Sequence, residues 1–326
     1  MGLLSSLFGQ KKPAKSANNK MDELVRKASS GDLPSILELG RNCRKGVVTG
    51  LSREEVGGLL EKAAAQGSGE AMGILGDLYR PSTLFKIRAD AQTALSWYEK
   101  ACAAGYTDAA CEAGRLFMGI CGTEKNYAKA KHYFRLGYKA GNILCARELG
   151  RFYDTGKGGE KNLEKAIECY NLAVAGGDYA ACFHLGDLYY FGRGVAKDLS
   201  KAAALYQQSK AKNYADAEAM LDFMMLKGEL PLKGSDEEVF RHLLRLAEGF
   251  SQNRANFVLG LFFETGTFVD QDLEKAIRYY EKSAKTGNLA AMRKVSLLEK
   301  ADFPGHRPDF DKAHHWEMRF REELGN

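Results

Sequence analysis

The sequence predicts an all-α fold, an α-solenoid of about eight helix-turn-helix units. Three observations carry this reading. Glycine recurs at Gly40, Gly76, Gly114, Gly150, Gly186 and Gly260, in steps of 36, 38, 36, 36 and 74 residues. Asp222 falls on the mark inside the long step, and Ser296 falls on the mark after Gly260. Gly is abundant at 35 residues while Pro is scarce at 6, which suits helices closed by glycine. Self-similarity at this period describes stacked helical hairpins rather than one globular core.

Taken from the N-terminus, the chain divides into residues 1–20, 21–32 and 33–326. The first stretch reads as a flexible leader. Its apolar start, Met1–Phe8, is followed by Lys11, Lys12, Lys15 and Lys20. It is too short to span a bilayer and lacks a positive start and a small-residue cleavage site. No cleavable signal peptide and no transmembrane helix are therefore expected. Met1-Gly2-Leu3-Leu4-Ser5-Ser6 fits the myristoylation pattern, with the lysines as a second, polybasic signal. The leader is also compatible with a weak membrane contact without lipid. Residues 21–32 read as a lone second helix capping the array, and 33–326 as the array itself. Asp309–Leu324 closes the far end as a charged capping helix.

Within the array each unit reads as a first helix, a Gly-rich turn, a second helix and a closing glycine. The recurrent first-helix glycine costs about 1 kcal/mol of helix propensity against Ala. A position that repeatedly accepts this cost is explained by close approach of a neighbouring helix. Glycine returns six residues on at Gly46, Gly156, Gly192, Gly228 and Gly266, where it predicts a left-handed helix end. Asp198 and Asp272 precede the second helix as caps. A small residue then meets an aromatic three or four places later, as in Ala166 and Tyr170 or Ala202 and Tyr206. The unit centred on Asp222 is the least regular, and a local change of curvature is expected there.

The copy FGRGVAKDLSKAAALY resembles the Sel1-like repeat, a relative of the tetratricopeptide repeat, and the resemblance covers about Leu33 to the C-terminus. It implies a right-handed superhelix and a non-enzymatic scaffold or adaptor that binds a partner protein or peptide in a concave groove. In the tetratricopeptide relatives the positions three before, one after and four after the glycine mark face that groove. Carried over, they offer Arg41, Arg44, Arg80, Arg115, Arg147 and Arg151 in the N-terminal half. In the C-terminal half they offer Phe183, Asp187, Tyr190, Phe223 and Phe257. A basic stretch running into an aromatic one suits a partner with an acidic segment or a terminal carboxylate. The alternative is that the arginines pair with neighbouring acids and the aromatics form inter-repeat core.

Charge and cysteine usage narrow the function classes. The formal charge is +5, but four of the basic residues sit in the leader, leaving the remainder nearly neutral. A phosphate-tracking surface is not indicated, so no nucleic-acid partner is expected. The seven cysteines contain no CxxC and are odd in number, which points to small core residues in a reducing, cytoplasmic setting. No P-loop, GxSxG or HExxH occurs, and His314-His315 has no evident third ligand. No catalytic residue, metal or cofactor is expected. Cysteine-rich relatives linked to β-lactam binding offer an enzyme or small-ligand alternative. Those relatives carry a regular bridged pair in each unit, and only Cys102 and Cys111 resemble one here.

Overall fold

The computed structural model describes residues 15–47, 50–81, 90–249 and 253–324, with side chains from Lys20 onward. Gly2 and the leader lysines Lys11 and Lys12, on which the lipid reading rests, lie outside the described residues. The described residues form helices and turns with no strand, and no helix among them is long and apolar enough to cross a membrane.

Two compact units divide the chain, Met1–Lys125 and Asn126–Asn326. The first holds α1 (Lys15–Ser29), α2 (Leu33–Arg44), α3 (Arg53–Ala65), α4 (Gly69–Tyr79), α5 (Ala91–Ala103) and α6 (Ala110–Leu116). The second holds α7 (Tyr127–Lys139), α8 (Ile143–Thr155), α9 (Leu163–Ala175), α10 (Tyr179–Phe191), α11 (Leu199–Lys210) and α12 (Ala215–Leu226). It continues through α13 (Asp236–Glu248), α14 (Asn253–Thr265), α15 (Leu273–Lys285), α16 (Leu289–Glu299) and α17 (Phe310–Leu324). Residues 21–32, expected as a capping helix, fall largely within α1, which begins earlier, at Lys15. The expected C-terminal cap is α17, whose Glu323 reaches back to Lys157, in the turn after α8, at 3.0 Å.

All eight marks fall on the even-numbered helices from α2 to α16, and the odd-numbered helices follow as second helices. Local chemistry fixes their ends. Asp198 and Asp272 cap α11 and α15 by accepting the backbone N–H of Lys201 and Lys275, which satisfies donors a helix start leaves open. Gly156 and Gly192 end α8 and α10 with φ of 83° and 64°, where a side chain would be strained.

The mark glycines have a specific packing role. A Cβ built on Gly76 would lie 2.5 Å from the ring of Tyr98, and on Gly186 2.8 Å from Tyr206. At Gly150 and Gly260 the ring is Tyr170 or Tyr280, at 2.7 and 2.6 Å. Each tyrosine comes from the following second helix and is at most 1 % exposed. The glycine thus opens a seat on the first helix into which a whole aromatic ring is pressed, burying a large apolar area without a void. At Gly40 the seat holds Leu60 instead.

Asp222 shows what happens when the glycine is absent. The residue twenty places on, where Tyr170 and Tyr206 stand relative to their marks, is His242. Its Nδ1 lies 2.6 Å from Asp222 Oδ2, and Asp222 is only 4 % exposed. The seat is therefore filled from both sides, by a carboxylate and a smaller ring that bond to each other. Burial raises the Asp222 carboxyl above its ordinary range, opposed by the hydrogen bond and charge of His242. Asp222→Gly and His242→Tyr should each destabilise, one by stranding a polar partner and the other by overfilling. The double variant should restore the ring-on-glycine seat, with a favourable coupling of about 1–2 kcal/mol in a double-mutant cycle measured by urea unfolding. Additive losses would contradict this packing account.

Candidate interaction surface

In the Met1–Lys125 unit the arginines of α2 and the C-cap of α4 are answered by acids on the next first helix, and that of α6 by an acid on its own helix. Arg41 meets Glu70 at 2.6 Å and Arg44 meets Asp77 at 2.7 Å. Arg80, the residue capping α4, meets Glu112 of α6, and Arg115 lies 3.4 Å from the same carboxylate. The first three pairs run from one repeat to the next. Between them opens a pocket of about 330 Å³, lined by Arg44, Asp77, Arg80, Tyr98, Tyr106 and Glu112. Gly73 admits Tyr106, whose ring would come within 2.6 Å of a Cβ there. Tyr98 donates its hydroxyl to Asp77 at 2.7 Å, so one carboxylate serves both the core tyrosine and the surface arginine. Burial and then the Asp77 charge push the Tyr98 phenol far above its ordinary value, keeping it a donor.

In the Asn126–Asn326 unit the expected residues separate into two groups. Arg147 joins Asp178 at 2.7 Å and Glu148 at 3.0 Å, and Arg151 joins Glu148 at 2.9 Å. Both arginines lie on α8, and the Arg151 side chain is 43 % exposed. Phe183, Tyr190, Phe223 and Phe257 are buried in the inter-repeat core, each less than 9 % exposed. They pack there because first helices in this unit contact both second helices and other first helices. Asp187 is also buried, accepting the Tyr206 hydroxyl at 2.7 Å and the Arg254 guanidinium. The arginines are thus exposed or half-buried, whereas the aromatic residues are buried.

Two arginines that join separate repeats escaped the sequence reading. Arg254 lies six places before its mark and Arg193 seven places after its own, outside the three positions carried over from the relatives. Arg193 holds Asp154 at 2.9 Å across 39 residues, and Arg254 reaches Asp187 across 67. Arg193 stands between two glycines and Arg254 among Gln252, Asn253 and Asn256, so nothing but their charge marked them.

The seven cysteines are free thiols, Cys102 and Cys111 included. Burial pushes the Cys102 thiol up to about 11 and that of Cys169 up to about 12, the opposite of an activated nucleophile. Among the described residues no group of His, Cys, Asp and Glu is arranged to hold a metal ion.

Comparison with known proteins follows the same geometry. The Sel1 repeat profile matches residues 58–68, 69–106, 107–142, 143–178, 180–214 and 253–288, more than half of the chain. Among solved structures, the chain is similar to c5321, described as a protective antigen of uropathogenic Escherichia coli with an SLR fold. That match has 25% identity and a TM-score of 0.60, and covers 93% of this chain and 64% of the antigen. The chain therefore spans less than two thirds of that relative. A Sel1 repeat protein from Oxalobacter formigenes matches at 22% identity and a TM-score of 0.49, covering 87% of this chain and 96% of its own. Helicobacter pylori cysteine rich protein B matches at 26% identity and a TM-score of 0.31, over 40% of this chain and 96% of its own. No curated protein matches the chain.

Proposed function

This chain belongs to the Sel1 repeat family, and on that premise we propose that it is a non-enzymatic scaffold that holds a partner protein through an acidic segment. Sel1 repeat proteins generally mediate protein–protein interaction. One observation carries the reading further. The arginines of the first helices are paired, yet Arg41, Arg44, Arg115 and Arg151 keep 43–46 % of their side-chain surface open. A guanidinium has five N–H donors, and a single contact to a neighbouring acid leaves donors for an incoming carboxylate. Pairing also holds each fork in place, so little side-chain entropy is lost when a partner docks.

Charge reversal tests this reading. Arg115 and Arg151 each contact an acid only three residues away on the same helix, and that acid keeps a second arginine, Arg80 for Glu112 and Arg147 for Glu148, so losing either contact leaves no carboxylate unpaired. The variant Arg115→Glu/Arg151→Glu should retain its helicity and melting midpoint, but retain much less partner in affinity capture from source-cell lysate. Unchanged capture with unchanged folding would remove these arginines from the binding surface.

A further inference from the structure

The last mark, Ser296, lies in α16, and the residues three before, one after and four after it are Arg293, Leu297 and Lys300. These are the positions that offer the arginines and aromatics of the earlier units. There, other first helices answer several of them. Arg41 and Arg44 of α2 pair with Glu70 and Asp77 of α4. Phe223, one place after its mark in α12, packs on Phe262 of α14 at 5.3 Å between centroids and is 8 % exposed. Leu297 holds the same position in α16 and is 63 % exposed. α16 packs against α15 and α17, and among the described residues no further first helix covers Leu297.

The three positions open onto one pocket of about 280 Å³ between α16 and α17. Met292, Leu297 and Phe320 give it an apolar lining, and Arg293, Lys300, Arg321 and Glu317 add charge. Glu317 is shared by Lys300 at 3.3 Å and Arg321 at 3.0 Å. The exposed Arg293 guanidinium lies over the Phe320 ring at 5.8 Å, and among the described residues it has no acid within ion-pairing distance. Three cations therefore answer one carboxylate, and the surplus charge stands beside an uncovered aliphatic side chain. Open apolar surface rimmed by polar groups is characteristic of interaction sites.

We propose that this pocket docks an aliphatic side chain flanked by carboxylates, presented by a partner protein. The aliphatic group seats on Leu297 and Phe320, and the carboxylates meet Arg293 and the exposed heads of Lys300 and Arg321. The partner thus supplies to α16 what Glu70 and Asp77 supply to α2 from within the chain. A single concave seat suits one side chain, not the plane of an anionic membrane. The site deepens the scaffold reading and rests on it: the docking group belongs to the partner's acidic segment.

The test records ¹H–¹³C methyl spectra of the full chain labelled at methionine, where Met292 reports on the pocket. The titrants are an end-blocked peptide with one leucine between two glutamates, a second with serine replacing the leucine, and a third with glutamines replacing the glutamates. Saturable shifts at Met292 are expected with the first, and much weaker binding with the other two. Leu297→Ser should weaken binding of the first peptide about tenfold, through lost apolar contact. Arg293→Gln should weaken it about threefold and flatten its salt dependence. Both side chains are exposed, so neither variant should move the melting midpoint. No saturable shift, equal response to all three peptides, or unchanged binding in Leu297→Ser would overturn the proposal. Self-association that Leu297→Ser abolishes, without peptide binding, would assign the pocket to a second copy and overturn it too. A null titration with capture still lost on charge reversal at Arg115 and Arg151 removes the pocket alone. A positive titration with capture unchanged in that variant keeps the pocket and removes the arginine surface instead.

Discussion

Replacing Arg254 with alanine is expected to destabilise the Asn126–Asn326 unit by about 3–5 kcal/mol, the range for stripping one partner from a buried ion pair. The side chains of Arg254 and Asp187 are only 15 % and 8 % exposed. Without the guanidinium, Asp187 keeps the Tyr206 hydroxyl as a donor but loses its counter-charge. The guanidinium also covers the faces of Phe183 and Phe257, at 5.1 and 5.8 Å, adding a cation–π contribution that alanine forfeits. The stranded charge should be the larger part. Adding Asp187→Asn to Arg254→Ala should therefore recover part of the loss, since an amide still accepts from Tyr206 and carries no charge. Denaturant unfolding followed by circular dichroism measures both variants. A loss below about 1 kcal/mol for Arg254→Ala, the value of an exposed pair, would show that this contact does not organise the unit.

The second large effect is a pair of identical substitutions with opposite outcomes. Gly76→Ala places a methyl group 2.5 Å from the Tyr98 ring. That ring is 1 % exposed and tethered by its hydroxyl to Asp77, so it cannot retreat without giving up the hydrogen bond. The overlap should cost about 1–3 kcal/mol beyond the roughly 1 kcal/mol that alanine returns in helix propensity. Gly58, within α3, has nothing within 4 Å of its built Cβ. Gly58→Ala should therefore stabilise by about 0.5–1 kcal/mol. Both residues lie in the Met1–Lys125 unit, so thermal unfolding compares them directly. A shift of the same sign in both would mean that the mark glycine is not a seat for the ring.

Much of the fold was legible because its signal repeats. One glycine in one helix carries little information, but marks in register locate the first helices, and the aromatic after the small residue locates the second. The identity of the ring on each glycine was not legible, because it depends on contact between helices twenty residues apart. Asp222 illustrates the limit. It reads as a lapse in spacing, and only its contact with His242 shows that both halves of the seat changed together. The exposure of the candidate residues was legible for the arginines and not for the aromatics. Arg41, Arg44, Arg80, Arg115, Arg147 and Arg151 stand at the expected positions with partly open side chains. Phe183, Tyr190, Phe223 and Phe257 occupy equivalent positions but are apolar, and burial against neighbouring helices claims them. Arg193 and Arg254 stand off the repeat pattern, so periodicity could not find them.

The most direct measurement of where a partner sits is site-specific photocrosslinking in the full chain. A photoreactive side chain at Arg115 or Arg151 reports on the first helices of the two units. The same group at Glu61 in α3 or Glu164 in α9, both exposed, reports on the second helices. The scaffold account predicts partner adducts at 115 and 151 and none above background at 61 and 164. Adducts confined to 61 and 164 would place the partner on the opposite helices and contradict it.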